Sequence, residues 1–474
     1  MIKKIIGVLI IVFSTLAFTI ILYWKESQFD SSLSDLLIYL VALPVLISLV
    51  ILTPWLIYRF YQAQKRQKQS VAALDATPSQ KPSLETQWLK LHIYSAFSKS
   101  ALGENEEIIQ AIQDHQSPKL DTKLVNSYGL PILSYRIDEL DERLINDGSS
   151  SISVRQQRII GLIQLQIEQQ SSVLAQIAEH LRRSSLFFET EHVHEYRMHP
   201  AWIDPQAEND ANEILARAHL QPISRLNRLN VHMILSEDLR HLWDNVICTE
   251  FLHEALGELG FLPQKIQVQY YFWEQQSVSI EWLNLLQQLA QQQTEISLII
   301  YVDSELDQDV LDARISLNEQ YIPAEFAGSC CVSALNIHIA DLNPIKHLSL
   351  ALNQAQIAAV LDELDLKELQ QYQSEQPFVI VPENISDPKV LKQLNHQFEL
   401  TPIEAHHYLY ISSSLGHSQH LAKIYAYMLA MQFPKDQTIF IALAQAPAIA
   451  VLIQSALPLE HQEAAKHYDF FNNF

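Results

Sequence analysis

The chain has 474 residues but only 9 glycines, against a usual share of about 7%, so few phosphate-cradling loops can be built from it. Acidic residues outnumber basic ones, 54 to 32, and the formal charge of -22 repels phosphates and opposes a nucleic-acid partner. With 48% apolar and 18% charged residues the chain holds ample material for buried cores, which excludes wholesale disorder, and its length allows roughly three domains.

Ile5 to Trp24 is uncharged and, at about 20 residues, long enough to span a bilayer. No small-x-small cleavage site follows Tyr23-Trp24-Lys25-Glu26, which separates it from a cleaved signal peptide. Leu36 to Tyr58 is a second uncharged run, carrying Pro44 and Pro54, and the pair is expected to form a transmembrane hairpin over residues 1–60. Lys3 and Lys4 precede the first span, Arg59, Lys65, Arg66 and Lys68 follow the second, and the loop between holds only Lys25. Positive charge therefore sets both ends on the cytoplasmic side, with Tyr23, Trp24, Trp55 and Tyr58 as interfacial anchors. A polar segment with Pro78 and Pro82 reads as a tether over 61–87, and a folded body is expected over 88–474.

In that body, Leu91 to Phe97 reads as a strand and Asn105 to Gln113 as a short helix with Glu106 and Glu107 at its N-terminus. Arg155 to Arg183 shows one apolar helical face through Ile160, Ile163, Ile167, Leu174, Ile177 and Leu181, interrupted by Gln170. It is expected to be an inserted helix within an insertion around 140–230, packed on its own domain. Ile266 to Phe272 is a strand, Ile280 to Gln291 a helix and Ile296 to Val302 an apolar strand, the order that builds a buried parallel sheet. Strands at Phe378–Val381, Tyr408–Ser412 and Thr438–Leu443 alternate with helices at Lys389–Leu394 and His420–Met431, so a layered α/β architecture is expected. No repeat of fixed period is apparent, although a pseudo-repeat of two halves is compatible with the sequence.

Chemistry-bearing patterns are few. The three cysteines, Cys248, Cys330 and Cys331, suit neither a disulfide framework nor a zinc site, and the apolar run SCCVSAL reads as core. His192, His194 and His199 resemble a metal-ligand run, with His192 and His194 on one face if the segment is a strand, but no further ligand has defined spacing. His406-His407 is weaker, and His253-Glu254 lacks the second histidine of H-E-x-x-H. The glycine-rich nucleotide loops and the G-x-S-x-G elbow are absent from the sequence. No metal or cofactor is therefore expected. The most suggestive segment is Ser412-Ser413-Ser414-Leu415-Gly416-His417-Ser418, a strand end opening into a helix, where His417 could act as general acid/base or as donor to an oxyanion.

Four segments in chain order carry a resemblance. LHIYSAFSKSALGENEEIIQAIQDHQS from Leu91, followed by SYGLPILSYRI from Ser127, resembles the opening of a β-ketoacyl synthase. LIIYVDSELDQDVLD from Leu298 and YIPAEFAGSCCVSAL from Tyr321 are similar to the Asp-Ser strand and the Ile-Pro-Gly-Glu-Ala-Ala run of condensing enzymes. SSLGHSQHLAKIYAYMLAM from Ser413 resembles their Gly-His-Thr helix start. The resemblance implies a thiolase-like layered fold. It also implies a cysteine nucleophile at a strand-to-helix elbow, which here falls near Gln275–Ile280 and offers Ser277 and Ser279 but no cysteine; Cys248 lies too early. The His-Gly-Thr-Gly-Thr motif has no counterpart, and Ala324 replaces the glycine of Ile-Pro-Gly-Glu. Condensation needs a thiolate to hold the acyl group, so the expectation is a pseudoenzyme without catalytic residues.

In layout, a membrane-proximal N-terminus ahead of a degenerate synthase-like body resembles a bacterial family linked to type VI secretion, in which a member acts as adaptor for a lipase-type toxin. That implies an inner-membrane-anchored scaffold with a cytoplasmic body, whose partners are proteins of a secretion machine or a toxin effector, and the lipid bilayer. The alternatives are an acyl-transfer or condensing enzyme of lipid or envelope metabolism using His417 with Ser277 or Ser279, and a purely structural envelope protein. A homodimer is implied by the thiolase-like resemblance, unless the inserted helix blocks that interface.

Overall fold

Strand β1 (Gln87–Ser100) sends Leu91 and Ile93 to one apolar core and Tyr94 to another, the period-2 consequence of a strand with both faces covered. In this computed structural model the described residues are 86–144, 153–195, 224–274, 277–318, 321–354, 356–383, 387–414, 416, 422–443 and 449–456, all within the second of the chain's two compact units, 85–474. The expected spans Ile5–Trp24 and Leu36–Tyr58 lie outside them. Among the described residues no helix is long and apolar enough to cross a membrane.

After β1, β2 (Gly103–Glu104) folds back on its end and leads into α1 (Glu106–Gln113). A separate two-stranded ribbon follows, β3 (Lys119–Val125) with β4 (Pro131–Ser134). Next come α2 (Asp138–Leu144), α3 (Val154–Gln169) and α4 (Ser171–Glu195). The chain then enters β5 (Arg228–Ser236), α5 (Asn245–Glu258) and β6 (Ile266–Trp273), followed by α6 (Val278–Gln291), β7 (Glu295–Ser304), α7 (Gln308–Ile315) and β8 (Glu325–Ala334). The second part runs through β9 (Lys346–Leu352), α8 (Ile357–Glu363), β10 (Val379–Val381), α9 (Pro388–Gln397) and β11 (Tyr408–Tyr410). It ends with α10 (Ala422–Ala430), β12 (Ile439–Ile441) and β13 (Ile449–Ser455).

One sheet carries the order β11-β10-β12-β13-β9-β1-β8-β7-β5-β6. It falls into two halves of the same connectivity. Numbering the five strands of each half along the chain, both read 3-2-4-5-1, with strands 2, 3 and 4 parallel and strand 5 antiparallel to both 4 and 1. The two first strands, β1 and β9, pair antiparallel from Gln87↔Leu352 to Ile93↔Lys346 and join the halves. This is the two-half repeat that has no visible period in the sequence.

The duplication makes α6 and α10 equivalent, since each follows the third strand of its half and precedes the fourth. They pack together in the core, with Trp282 and Tyr427 edge to face at 5.3 Å between ring centroids. Buried Lys346, the first residue of β9, donates to Phe433 O at 2.6 Å and Ala430 O at 3.4 Å, holding the C-terminal end of α10 where a cation suits the helix dipole. Burial pushes its pKa down to about 8, against the opposing pull of Glu106 and Asp436.

The insertion lies between the first and second strands of the first half. Its expected single helix is two helices, because the chain turns at Gln170, the C-cap of α3. The Gln170 side chain turns onto the sheet, accepting from Ser95 Oγ at 2.7 Å and Cys331 Sγ at 3.3 Å and donating to Ser329 Oγ. A residue that would weaken a coiled-coil seam is thus a polar anchor to β1 and β8, and the insertion packs on its own body. The segment of His192 and His194 belongs to helix α4 rather than to a strand, which removes the alternation that would have set the two on one face.

Strand β8 is buried at every position, because helices cover both its faces, and from Ala327 onward its residues are mostly small. A Cβ on Gly328 would lie 2.7 Å from Tyr301 and 2.9 Å from Met428 of α10. Gly328→Ala is expected to lower stability by about 1–3 kcal/mol through overpacking, read as a reduced denaturation midpoint in urea with an unchanged slope.

Candidate functional site

The segments that carry the resemblance meet at the start of β8. Glu325, its first residue, accepts from Ser304 Oγ of β7 at 2.7 Å and from the Ile137 backbone N–H at 3.0 Å, while its own N–H donates to Tyr135 O at 3.1 Å. Ser100 of β1 pairs with Phe326 next to it. Gly416 sits against the preceding residues at a φ of +61°, and a Cβ there would lie 2.5 Å from Ile322 O and 3.1 Å from the Ala324 side chain. Only glycine meets both conditions.

This region also holds the ends of β5 and β7, the side of an α/β sheet where ligands usually bind. Here two arginines from the first turns of α3 fill it. Arg158 grips Glu325 with two donors, Nε to Oε1 and Nη2 to Oε2 at 2.8 Å, and reaches Asp141 through Nη1. Arg155 donates from Nη2 to Asp303 Oδ1 at 2.8 Å, from Nη1 to Asp238 Oδ2 at 2.9 Å and from Nε to Ser304 O at 2.6 Å. Planar forks matched to carboxylates are the form in which buried charge is best tolerated. Although burial works the other way, Arg155 holds the Asp238 carboxyl down at about 2. Burial, with Asp303 beside it, pushes Glu305 up to about 8.

The elbow after β6 is the second part of the site. Ser277 is the N-cap of α6, half-buried, and its hydroxyl makes no capping bond but donates to Glu274 O at 3.4 Å. Ser279 follows in the first turn, also half-buried. At the equivalent place in the second half, Ser412–Ser414 form a short turn after β11; His417 lies outside the described residues. Around the start of α10 the structure adds residues that sequence reasoning passed over. Lys423 has its pKa lowered by burial with Glu383 opposing, and Tyr427 is raised by burial with Glu383 adding to it. Glu383 is buried two residues beyond β10.

None of the three cysteines is on the segment after β6 or the segment after β11. Cys248 is buried on α5, where burial raises its thiol to about 11; in the middle of β8 burial raises Cys331 to about 12 and also raises Cys330 well above the ordinary thiol value. Buried thiols of this kind are inert. His407, the weaker histidine candidate, closes a capping box with Glu404 and reaches Ser374 O at 3.1 Å. Among the described residues no group of three His, Cys, Asp or Glu side chains is placed to hold a metal ion.

No protein-family model matches the sequence, and no curated protein matches it. Solved structures of similar chain path include the ketosynthase from module 6 of the bacillaene synthase of Bacillus subtilis 168, at 10% identity and a TM-score of 0.44, covering 78% of this chain and 72% of that one. An oxazolomycin ketosynthase domain of Streptomyces albus JA3453 matches at 9% identity and a TM-score of 0.42, covering 78% and 76%. Human mitochondrial 3-ketoacyl-CoA thiolase matches at 10% identity and a TM-score of 0.29, covering 52% and 91%.

Two measurements test the ionic centre. Arg158→Met, which leaves Glu325 buried and unpaired, is expected to cost about 3–5 kcal/mol of folding stability by urea denaturation. Glu305 titrates higher in the folded chain, about 8, than its ordinary 4.5. The folded chain therefore keeps a proton that the unfolded chain releases, and this contribution is complete below that window and lost as pH rises through it. Glu305→Gln is expected to flatten the fall in stability across it.

Proposed function

We propose that the chain is a thiolase-like body that has given up condensation chemistry and serves as an inner-membrane-anchored scaffold or adaptor, an accessory component of type VI secretion in effector loading or machine assembly. The observation that carries the non-catalytic part is the position of the cysteines. All three are buried, one on α5 and two in β8, and none is on the elbow at the start of α6, where Ser277 donates to Glu274 O. The two halves of 3-2-4-5-1 connectivity support the thiolase-like reading. The arginines of α3 support the scaffold reading, since they stabilise the ends of β5 and β7 as structure and occupy the space a substrate would need. The anchor and cytoplasmic side rest on the sequence of residues 1–60.

Two experiments bear on this reading. Full-length protein incubated with acyl-CoA or acyl carrier protein is expected to show no acyl adduct by intact-mass spectrometry; an acyl-thioester on Cys248, or an ester on Ser277 or Ser279, would favour the acyl-transfer alternative. Crosslinking in intact membranes followed by pull-down is expected to recover a secretion-machine component or toxin with the full chain and less of it when residues 1–70 are removed. Recovery of no partner from either form counts against the adaptor.

A further inference from the structure

A cavity of about 630 Å³ opens where β1, β9 and β13 meet the turn after β8, within the range of small-molecule sites. Lys90, His92, His338 and His347 reach its wall, Leu335, Ile339, Leu342 and Pro344 give it an apolar side, and among the described residues no carboxylate lines it. That is a local reversal of charge in a chain of formal charge -22. None of these residues belongs to the site at the start of β8.

The histidines are ordered. His92 Nε2 lies 3.1 Å from Leu335 O, which can only accept, so that nitrogen carries the proton. His92 Nδ1 is then an acceptor, and His347 Nδ1, 3.0 Å away, is the donor. The relay leaves His347 Nε2 as the basic nitrogen of the pair. Lys90 and His92 on β1 are the cationic and titratable groups facing His347, with Tyr94 beyond His92 on the same face of β1 and His338 on the turn after β8, its ring 6.1 Å from that of His92. Burial and the neighbouring rings keep His92 neutral, with a pKa of about 4. His347 is also lowered, first by burial and then by Lys90. An anion seated beside Lys90 reverses the second effect and favours the imidazolium of His347.

We propose that this cavity binds a small organic acid, an oxyanion group held by Lys90 and His347 and carried on an apolar body that rests against Leu335, Ile339, Leu342 and Pro344. Binding takes up a proton on His347 and tightens as the pH falls toward the ordinary imidazole range.

The test is a ligand-observed NMR titration of the full chain in lipid nanodiscs with benzoate, phenyl phosphate, benzamide and acetate. Benzoate or phenyl phosphate is expected to bind more tightly than benzamide, which lacks the charge, and than acetate, which lacks the apolar body; which of the two binds tighter separates a carboxylate from a phosphate ligand. Lys90→Gln and His347→Gln are each expected to weaken binding by roughly tenfold, the loss of one charge-assisted bond. Lys90 is exposed, so Lys90→Gln decides the matter should His347→Gln fail to fold. Equal binding of benzamide or acetate, binding that is indifferent to both substitutions, or no binding of any probe overturns the proposal.

Discussion

The antiparallel pairing of β1 with β9 is the constraint on which the described body depends. Two units of identical connectivity can be joined through many edges, but joining them through their first strands relates them by an approximate twofold. The third strand of each half then lies at a far end of the sheet, and the helix that follows must travel back across it. That return brings α6 and α10 together, and the Trp282–Tyr427 contact is its product. Lys346, which begins β9 and donates to Ala430 O at the end of α10 and to Phe433 O just beyond it, ties the same strand pair to the helix layer. Burying an ammonium is costly, and the carbonyl oxygens at a helix end are the partners that make it tolerable.

The insertion between the first two strands changes what the fold can do. Helix α3 brings buried arginines to carboxylates at the strand ends, and Gln166 and its C-cap Gln170 to Ser95, Ser329 and Cys331. A buried polar network of this size is intolerant of partial loss, since each group deprived of its partner stays in a low-dielectric interior. The space at the strand ends has therefore become a structural junction between insertion and sheet. The second half has, among the described residues, the short α8 and a 3-10 turn at Gln370–Gln373 between its corresponding strands, and a different pair of polar groups, Glu383 after β10 and Lys423 at the start of α10.

The parts of this arrangement differ in how they can be read from sequence. Periodicity is local, so the strand at Ile296–Val302, the helix from Ile280 and the alternation through the C-terminal region are legible in the residues themselves and are found where expected. The location of Ser277 and Ser279 at a helix start is local in the same way. Pairing is not. Arg158 and Glu325 stand 167 positions apart, His92 and His347 255 apart, and neither pair has a spacing to recognise. Gln170 shows the limit most clearly. In the sequence it interrupts an apolar seam, and only the sheet beneath it explains why a glutamine belongs there. The duplication escapes notice because strand number and order are properties of topology, which two unrelated-looking stretches of apolar residues share without sharing a sequence period.

The absence of a side chain at Gly328 also has a mechanical meaning. At that point α10 rests almost on the backbone of β8, with Met428 and Tyr301 closing over the space a methyl group would take. Such a contact has little compliance, since neither sliding nor rolling of the helix leaves its neighbours undisturbed. Strain applied to this body is transmitted through the inner layer rather than absorbed by it. A load arriving from one side of the sheet at this contact therefore reaches the other with little loss.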